Sequence, residues 1–268
     1  MQKDDLKMNG INRTNFVYKF KRKQHPFYRH SLDTSDHYKY AMAIYKPLRK
    51  VEGVQARINL WQPSVASTMA ESSSQIWIKT KVNGIINTIE AGWHRNAQGT
   101  ALGCYNLVCP GFVQNDNVNM IGQPYNQVST YDGLQCYSTI QIVKHLSTGH
   151  WGLIVENIPV GHWSSHNFTH LAEGATHVYW GGKVWSINSD NERISKEEMG
   201  SGRYAQEGNG RASSFDSLGA AFQNEGFHSV TPHNLTYQYS GPCYSISHYN
   251  SGFFYGGPGV GPLCIVAN

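Results

Sequence analysis

The chain has 268 residues, of which 40% are hydrophobic, 12% aromatic and only 15% charged, so it can bury a large core and is not disordered by composition. The formal charge of +4 is too small to indicate nucleic acid as a partner, and no apolar run approaches the ~20 residues that span a bilayer. With 27 glycines, 16 tyrosines and 7 tryptophans, the composition favours an all-β protein over a helical bundle.

Positive charge is concentrated near the N-terminus. Residues 1–50 carry twelve Lys or Arg and four Asp or Glu, with a basic peak at residues 19–23. Such a peak is typical of a nuclear signal or a nucleic-acid arm, but the rest of the chain has no basic pattern interleaved with aromatics. We therefore interpret residues 1–50 as a pro-segment on an acidic body. The first residues contain no apolar signal-peptide segment.

Short strands are predicted from residue 55 onward by alternation and turn residues. The first three cover residues 55–61, 74–82 and 85–93, and Asn83-Gly84 is a strong hairpin signal between the last two. Further strands are predicted at residues 102–113, 137–145, 151–156 and 177–186. This regular spacing is typical of a sandwich or barrel.

Three irregular features interrupt this pattern. Gly181-Gly182 predicts a bulge or tight bend in the strand at 177–186. Residues 166–173 are the one good helix candidate, and residues 187–215 are predicted to form a long polar loop.

A search for catalytic residues excludes several mechanisms. No G-x-S-x-G elbow is present. His162, His166 and His170 have a spacing that would place them on one helix face, but Gly161 and the following residues are poor helix formers. We interpret these histidines as ordinary surface or core residues, and we expect no metal site.

Glu90 is the acidic residue that stands out, because it lies within a largely apolar predicted strand. A carboxyl in such a setting is partly desolvated, which suits general acid–base catalysis. The alternative is a solvent-facing Glu that alternates with Ile89 and Ala91. Spacing alone does not decide between the two.

The five cysteines suggest an oxidising compartment. Cys104 with Cys109 and Cys243 with Cys264 are suitable partners for two disulfides, leaving Cys136 free. Three short sequons add a little to a secretory assignment; they begin at Asn12, Asn167 and Asn234.

Seven motifs in order along residues 50–268 resemble the plant neprosin family. They are IEAGW at 89–93, GCYNLVCPGF at 103–112, GHWG at 149–152, WGG at 180–182, MGSGRY at 199–204, EGNGRAS at 207–213 and FYGGPG at 254–259. Two N-terminal stretches, around residues 5–6 and 37–41, also resemble the end of the family's activation propeptide.

The resemblance implies a secreted antiparallel β-sandwich of two stacked sheets with a concave cleft. It also implies a glutamic endopeptidase that acts in acid and cuts after proline, without a cofactor or metal. The implied partners are proline-rich peptides or proteins and the chain's own pro-segment, with no nucleic acid and no membrane. The location would be the cell wall, vacuole or exterior, and the protein a monomer.

In that chemistry, one glutamate activates water and a second, protonated carboxyl assists the scissile amide. Glu90 matches the first glutamate of the family. The second belongs to a W-G-G-E-V segment that here reads W-G-G-K-V, so Lys183 stands at its position. Glu207 is an alternative second acid, and Gln75 is a candidate oxyanion donor.

Aromatic residues complete the expected cleft. Trp93, Tyr105 and Trp180 are predicted to form a wall that stacks on proline, whereas Trp77 is interpreted as sandwich core. Two functions follow. One is an active prolyl endopeptidase. The other is a catalytically silent relative whose cleft binds proline-rich peptides or cell-wall polymer. The change at Lys183 favours this second function, whereas the near-complete set of family motifs favours the first.

Overall fold

The computed structural model describes the backbone of residues 15–22 and, in full, residues 38–65, 70–96, 106–108, 110–115, 121–186 and 196–264. Regular structure in these residues consists of strands and short 3₁₀ helices. The strands form two antiparallel sheets that pack face to face, which confirms the all-β sandwich. None of the helices in these ranges is long and apolar enough to cross a membrane.

The six-stranded sheet carries the candidate site. Numbered along the chain, its strands are β1 (Asn15–Arg22), β2 (Tyr38–Tyr45), β4 (Ala70–Val82), β5 (Ile85–Asn96), β10 (His177–Ser186) and β13 (Thr236–Tyr239). Their spatial order is β1-β5-β4-β10-β2-β13. The predicted hairpin forms at Asn83 and Gly84, both with positive φ, and joins β4 to β5.

The nine-stranded sheet closes the other side of the core. Its strands are β3 (Gly53–Asn59), β6 (Phe112–Gln114), β7 (Tyr137–Lys144), β8 (Trp151–Val155), β9 (Ile158–Trp163), β11 (Ser213–Ala221), β12 (Phe227–Ser229), β14 (Ser245–Tyr249) and β15 (Gly252–Gly256). The order is β14-β15-β11-β3-β7-β8-β9-β6, with β12 paired to β11. The 3₁₀ helices are Asn106–Val108, Ser165–Asn167, Leu171–Glu173, Ala205–Glu207, Pro232–Asn234 and Pro262–Cys264.

The helix predicted at residues 166–173 is wrong. The segment contains two separate 3₁₀ turns, interrupted by Phe168 in an extended conformation. Phe168 is buried in the core, which requires the chain to leave the helical path there. His162 lies on β9, outside both turns, so the three histidines do not share a helix face.

The bulge predicted at Gly181-Gly182 is also wrong, because β10 keeps a continuous register with β4 and β2 through both glycines. Glycine is needed at position 182 because the two sheets pack closely there, and not because the strand bends. A Cβ on Gly182 would lie 2.5 Å from the Tyr255 ring on the opposite sheet. The long loop predicted at 187–215 ends earlier than expected, since β11 begins at Ser213, and residues 187–195 lie outside the described part.

Alternation along the strands sends one set of side chains into the core between the sheets. From the six-stranded sheet these include Ile76, Ile78, Ile89, Ala91, Trp93 and Trp180, and from the nine-stranded sheet Ala56, Ile58, Ile140, Phe215 and Phe253. Two indole N–H groups connect the sheets by donating to opposite backbone carbonyls, Trp93 to Asn59 and Trp180 to Gln55. The opposite face of the six-stranded sheet is therefore free to form a cleft.

Strand β2 is an interior strand of the six-stranded sheet, between β10 and β13. Its residues Ala41 and Ala43 are fully buried in the core. The boundary of a pro-segment near residue 50 stays a prediction. Removal at that point would take away a strand that pairs on both edges.

Cys243 and Cys264 form the predicted disulfide, and Cys136 is a free thiol. The predicted bridge between Cys104 and Cys109 lies outside the described residues.

Candidate active site

A cleft of about 510 Å³ lies on the outer face of the six-stranded sheet. Strands β2, β4, β5, β10 and β13 all contribute side chains to it, so its shape depends on the pairing of distant segments. The lining residues are Tyr38, Tyr40, Met42, Trp77, Lys79, Ile86, Thr88, Glu90, Tyr179, Lys183 and Gln238.

Glu90 lies in this cleft. Its neighbours Ile89 and Ala91 point into the core, so the period of two directs Glu90 to the outer face. The side chain is nevertheless only 10% exposed. The structure thus decides the orientation that spacing left open.

Lys183 reaches Glu90 across the intervening strand β4. Its Nζ lies 3.5 Å from Glu90 Oε2, and its side chain is only 5% exposed. The predicted proximity of Glu90 and position 183 is therefore observed. The two residues are far apart in sequence and meet only because β10 and β5 both pair with β4.

A second carboxylate also contacts the ammonium group. Glu71 is at the start of β4 and is almost fully buried, with Oε1 3.9 Å from Lys183 Nζ. Lys183 therefore lies between two carboxylates. Sequence analysis did not single out Glu71, because the predicted strand began at residue 74 whereas β4 begins at Ala70.

The surroundings keep Lys183 charged. Burial favours the neutral amine, but the carboxylates of Glu90 and Glu71 outweigh this and raise the pKa of Lys183 above its ordinary value of 10.5. The Tyr38 ring adds a cation–π contact, with Nζ 5.4 Å from the ring centroid. Burial raises the pKa of Tyr38 to about 12, so its hydroxyl stays protonated.

Gln75 lies on the same face of β4, between Gly92 of β5 and Gly181 of β10. Its side chain is fully buried, and neither amide atom has a hydrogen-bond partner among the described residues. A buried amide normally finds a partner. Gln75 is not among the residues that line the cleft, so its role as an oxyanion donor stays a prediction.

The predicted aromatic wall is wrong in its members. Trp93 and Trp180 are fully buried in the inter-sheet core and face away from the cleft. Trp77, interpreted from sequence as core, lines the cleft instead. Strands buried on both faces do not show which tryptophan points outward, and Tyr105 lies outside the described residues.

The alternative acid Glu207 is not near Glu90 in the structure. It lies in the 3₁₀ helix Ala205–Glu207, where its Oε2 accepts a hydrogen bond of 2.9 Å from the Tyr131 hydroxyl. The side chain belongs to a surface cluster with Arg211 and Asp132, and it does not line the cleft. Glu207 lies in the connection between β10 and β11, which belong to different sheets.

Sequence reasoning missed Tyr38, Tyr40 and Tyr179, which form much of the aromatic lining. A usable signal was present in β2, where Tyr38, Tyr40 and Met42 alternate with Ala41 and Ala43. That alternation is typical of a strand with one face in the core and one in a cleft. It was overlooked because the segment was assigned to a pro-segment.

The arrangement provides a carboxylate and a buried ammonium group in an aromatic cleft, and the Gln75 amide lies on the same sheet without lining that cleft. Among the described residues, no group of three or more His, Cys, Asp or Glu has a metal-binding arrangement. The Lys183 ammonium lines the cleft and can donate a hydrogen bond to a peptide carbonyl there. It lacks a carboxylic acid at position 183.

Comparisons with known proteins found similarity to a family model and to a solved structure. A family model described as Neprosin matches residues 68–258, a span that includes Glu71, Gln75, Glu90 and Lys183. A solved structure described as "SCP-B a member of the Eqolisin family of Peptidases in a complex with a Tripeptide Ala-Ile-His" is similar at 10% identity, with a TM-score of 0.45 over 82% of this chain and 98% of that chain. The match of the Neprosin family model covers most of the chain and shows that this chain belongs to the neprosin family.

Proposed function

We propose that the cleft binds extended, proline-containing peptides and that Lys183 prevents their hydrolysis. Family membership makes peptidase chemistry the function class to test. The observation that carries the proposal is the buried contact of 3.5 Å between Lys183 Nζ and Glu90 Oε2.

Hydrolysis by a carboxyl pair requires one ionised and one protonated carboxyl group. Here the position of the second carboxyl holds an ammonium group, whose raised pKa makes it a poor proton donor to a leaving amine. The same ammonium lies 3.5 Å from Glu90 Oε2, so it occupies the side of that carboxylate where a second carboxyl would stand. Lys183 therefore affects both roles: it stands in place of the proton donor and it contacts Glu90, the residue expected to activate water.

Peptide binding does not need the missing acid. The rings of Tyr38, Tyr40, Trp77 and Tyr179 line the cleft. Aromatic-lined grooves bind proline-rich segments because the preformed extended helix presents flat apolar rings at little cost in entropy. Lys183, which lines the cleft, supplies a donor for a peptide carbonyl.

A second candidate is peptide hydrolysis by a different division of roles. The Gln75 amide has no hydrogen-bond partner among the residues that the structure describes, which favours this mechanism if Gln75 and Lys183 together stabilise an oxyanion. Glu90 would then take the proton from water and return it to the leaving amine. Such a mechanism needs no protonated carboxyl, so its activity would not be restricted to acid.

Secretion and an acidic working environment are part of the proposal. The disulfide between Cys243 and Cys264 supports an oxidising compartment. At acidic pH Lys183 remains charged, so the block on hydrolysis persists there.

Calorimetric titration with a proline-rich decapeptide, followed by mass spectrometry at pH 4 and pH 7, tests the proposal. We expect binding without cleavage, weaker binding when alanine replaces the prolines, and about tenfold weaker binding for Tyr179→Ala. Tyr239→Ala, on the same sheet but exposed and outside the cleft lining, is the matched control. Cleavage that disappears in Glu90→Gln supports the second candidate, and absence of binding contradicts both.

A further inference from the structure

We propose a second ligand site, for a neutral saccharide, on the outer face of the nine-stranded sheet. A pocket of about 660 Å³ opens there, on the side of the sandwich opposite to the cleft. Strands β3, β7, β11, β14 and β15 form its floor and the segment from Ser229 to Thr231 forms part of its wall.

Strand alternation places the pocket on the outer face. Ile58, Phe215 and Phe253 point into the core, so their neighbours Arg57, Asp216 and Phe254 point outward. All three outward residues line the pocket. The site is therefore separated from the Glu90 cleft by the whole hydrophobic core.

A fixed ion pair lies at the centre of the pocket. Arg57 donates from Nε to Asp216 Oδ1 and from a terminal nitrogen to Oδ2, each at 2.8 Å. Ser217 Oγ donates to the same Oδ1 at 2.9 Å. The bidentate geometry fixes the direction of the remaining guanidinium N–H groups and carboxylate lone pairs.

Aromatic rings border the ion pair. The Arg57 guanidinium lies 4.4 Å from the Tyr137 ring centroid. Tyr249 and Phe254 pack together with centroids 4.6 Å apart. Burial raises the pKa of Tyr249 to about 12, so its hydroxyl, which is hydrogen-bonded with Ser214, stays protonated. All three rings are half-buried and line the pocket.

This combination selects a class of ligand. Arg57 and Asp216 neutralise one another and are the charged side chains in the described lining, so the pocket has no net charge to attract an ion. A purely apolar ligand would displace water from the ion pair and would offer no hydrogen bonds in place of those that the water had made. A sugar ring fits both requirements, because its C–H face packs on aromatic rings and its hydroxyls both donate and accept.

Additional polar groups surround the same opening. Asn209, Ser214, Thr231, Asn250 and Ser251 contribute amides and hydroxyls. Most belong to turns that connect the strands, a usual location for groups that determine ligand specificity. The volume of the pocket accommodates two or three sugar rings, within the range of small-molecule sites.

Titration of the full chain with neutral β-1,4-linked trisaccharides of glucose, xylose and mannose, followed by protein NMR or calorimetry, tests the inference. We expect saturable binding of at least one trisaccharide. Phe254→Ala and Asp216→Asn should each weaken it about tenfold. Phe254→Ala leaves the ion pair intact, so it tests the site even if Asp216→Asn unfolds the protein.

Tyr179→Ala, in the opposite cleft, is the matched control and should leave saccharide binding unchanged. If Tyr179→Ala removes binding and Phe254→Ala does not, the sugar occupies the cleft and the inference is wrong. Absence of binding by all three sugars, with the protein shown to be folded, also overturns it. Neither outcome affects the peptide proposal, which is measured with a different ligand.

Discussion

Lys183 and Glu90 lie on strands that are not adjacent, yet Lys183 Nζ is 3.5 Å from Glu90 Oε2 across strand β4. Both side chains are buried on the floor of the cleft. At the position where the resemblance predicts a second glutamate, the structure has an ion pair with Glu90. The consequences for catalysis and for stability can be measured separately.

Lys183→Glu should create peptidase activity. The substitution places a carboxyl beside Glu90, and two close carboxyls cannot both ionise, so one retains a proton in acid. We expect cleavage of a proline-containing peptide at pH 4 at least tenfold above the unchanged protein, with little at pH 7. Quenched-fluorescence peptide assays measure it.

The double substitution Lys183→Glu with Glu90→Gln is the control, and it should be inactive. If Lys183→Glu folds normally but cleaves no faster than the unchanged protein, then Lys183 is not what prevents hydrolysis.

Lys183→Met should destabilise the fold. Removing the ammonium leaves the buried carboxylates of Glu71 and Glu90 without their common partner, which costs about 3–5 kcal/mol when such a pair is broken. Denaturant unfolding at pH 7 measures the change in the free energy of unfolding. Lys46→Met, at an exposed position, should change it by less than about 0.5 kcal/mol.

The pH dependence of this difference follows from the raised pKa of Lys183. When the pKa of a group is higher in the folded state than in the unfolded state, the protonated group contributes its full stabilisation at pH values below the unfolded pKa. That contribution is lost as the pH rises through the folded pKa. The gap in stability between the unchanged protein and Lys183→Met should therefore be constant up to about pH 10 and narrow above it. A gap that widens with alkali would contradict the assignment.

Gln75→Leu should separate binding from stability. The Gln75 amide is buried and has no hydrogen-bond partner in the described part of the chain, so an apolar side chain of similar size should leave the free energy of unfolding unchanged or increase it. If the amide bonds a peptide carbonyl, affinity for the proline-rich decapeptide should fall about tenfold. Calorimetry and denaturant unfolding on the same samples measure both. A stability loss with unchanged affinity would assign Gln75 a structural role.

Tyr255→Phe should weaken the contact between the two sheets. The Tyr255 hydroxyl accepts from Ser213 Oγ and donates to Ser74 Oγ of the opposite sheet, at 3.0 and 2.6 Å. Without it, two buried serine hydroxyls lose a partner, and we expect a loss of about 1–3 kcal/mol in the free energy of unfolding. Tyr239→Phe, an exposed control, should have no measurable effect.

The same tyrosine predicts part of the alkaline unfolding. Burial raises the pKa of Tyr255 from 10.0 to about 12. Because the folded pKa is the higher one, the hydroxyl's contribution is complete below pH 10 and decreases as the pH rises toward 12. Tyr255→Phe should therefore lose less stability than the unchanged protein over that interval, measured by denaturant titration at each pH.

The sequence by itself determined the fold class and much of the local structure. The strand at 177–186 and the hairpin at Asn83-Gly84 were predicted correctly because alternation and turn chemistry are local properties of the backbone. Family motifs placed Glu90 and position 183 in one site, and the chemistry of a lysine at that position followed from the residue type alone.

Tertiary structure alone decided which face of each strand forms the cleft. The sequence was interpreted as placing Trp93 and Trp180 in the cleft and Trp77 in the core. In the structure Trp93 and Trp180 pack against the second sheet, and Trp77 lines the cleft. The position of Glu71 beside Lys183 likewise depends on pairing between β4 and β10. Alternation assigns side chains to two faces, but only the packing of one sheet on another determines which face is buried and which is left open to a ligand.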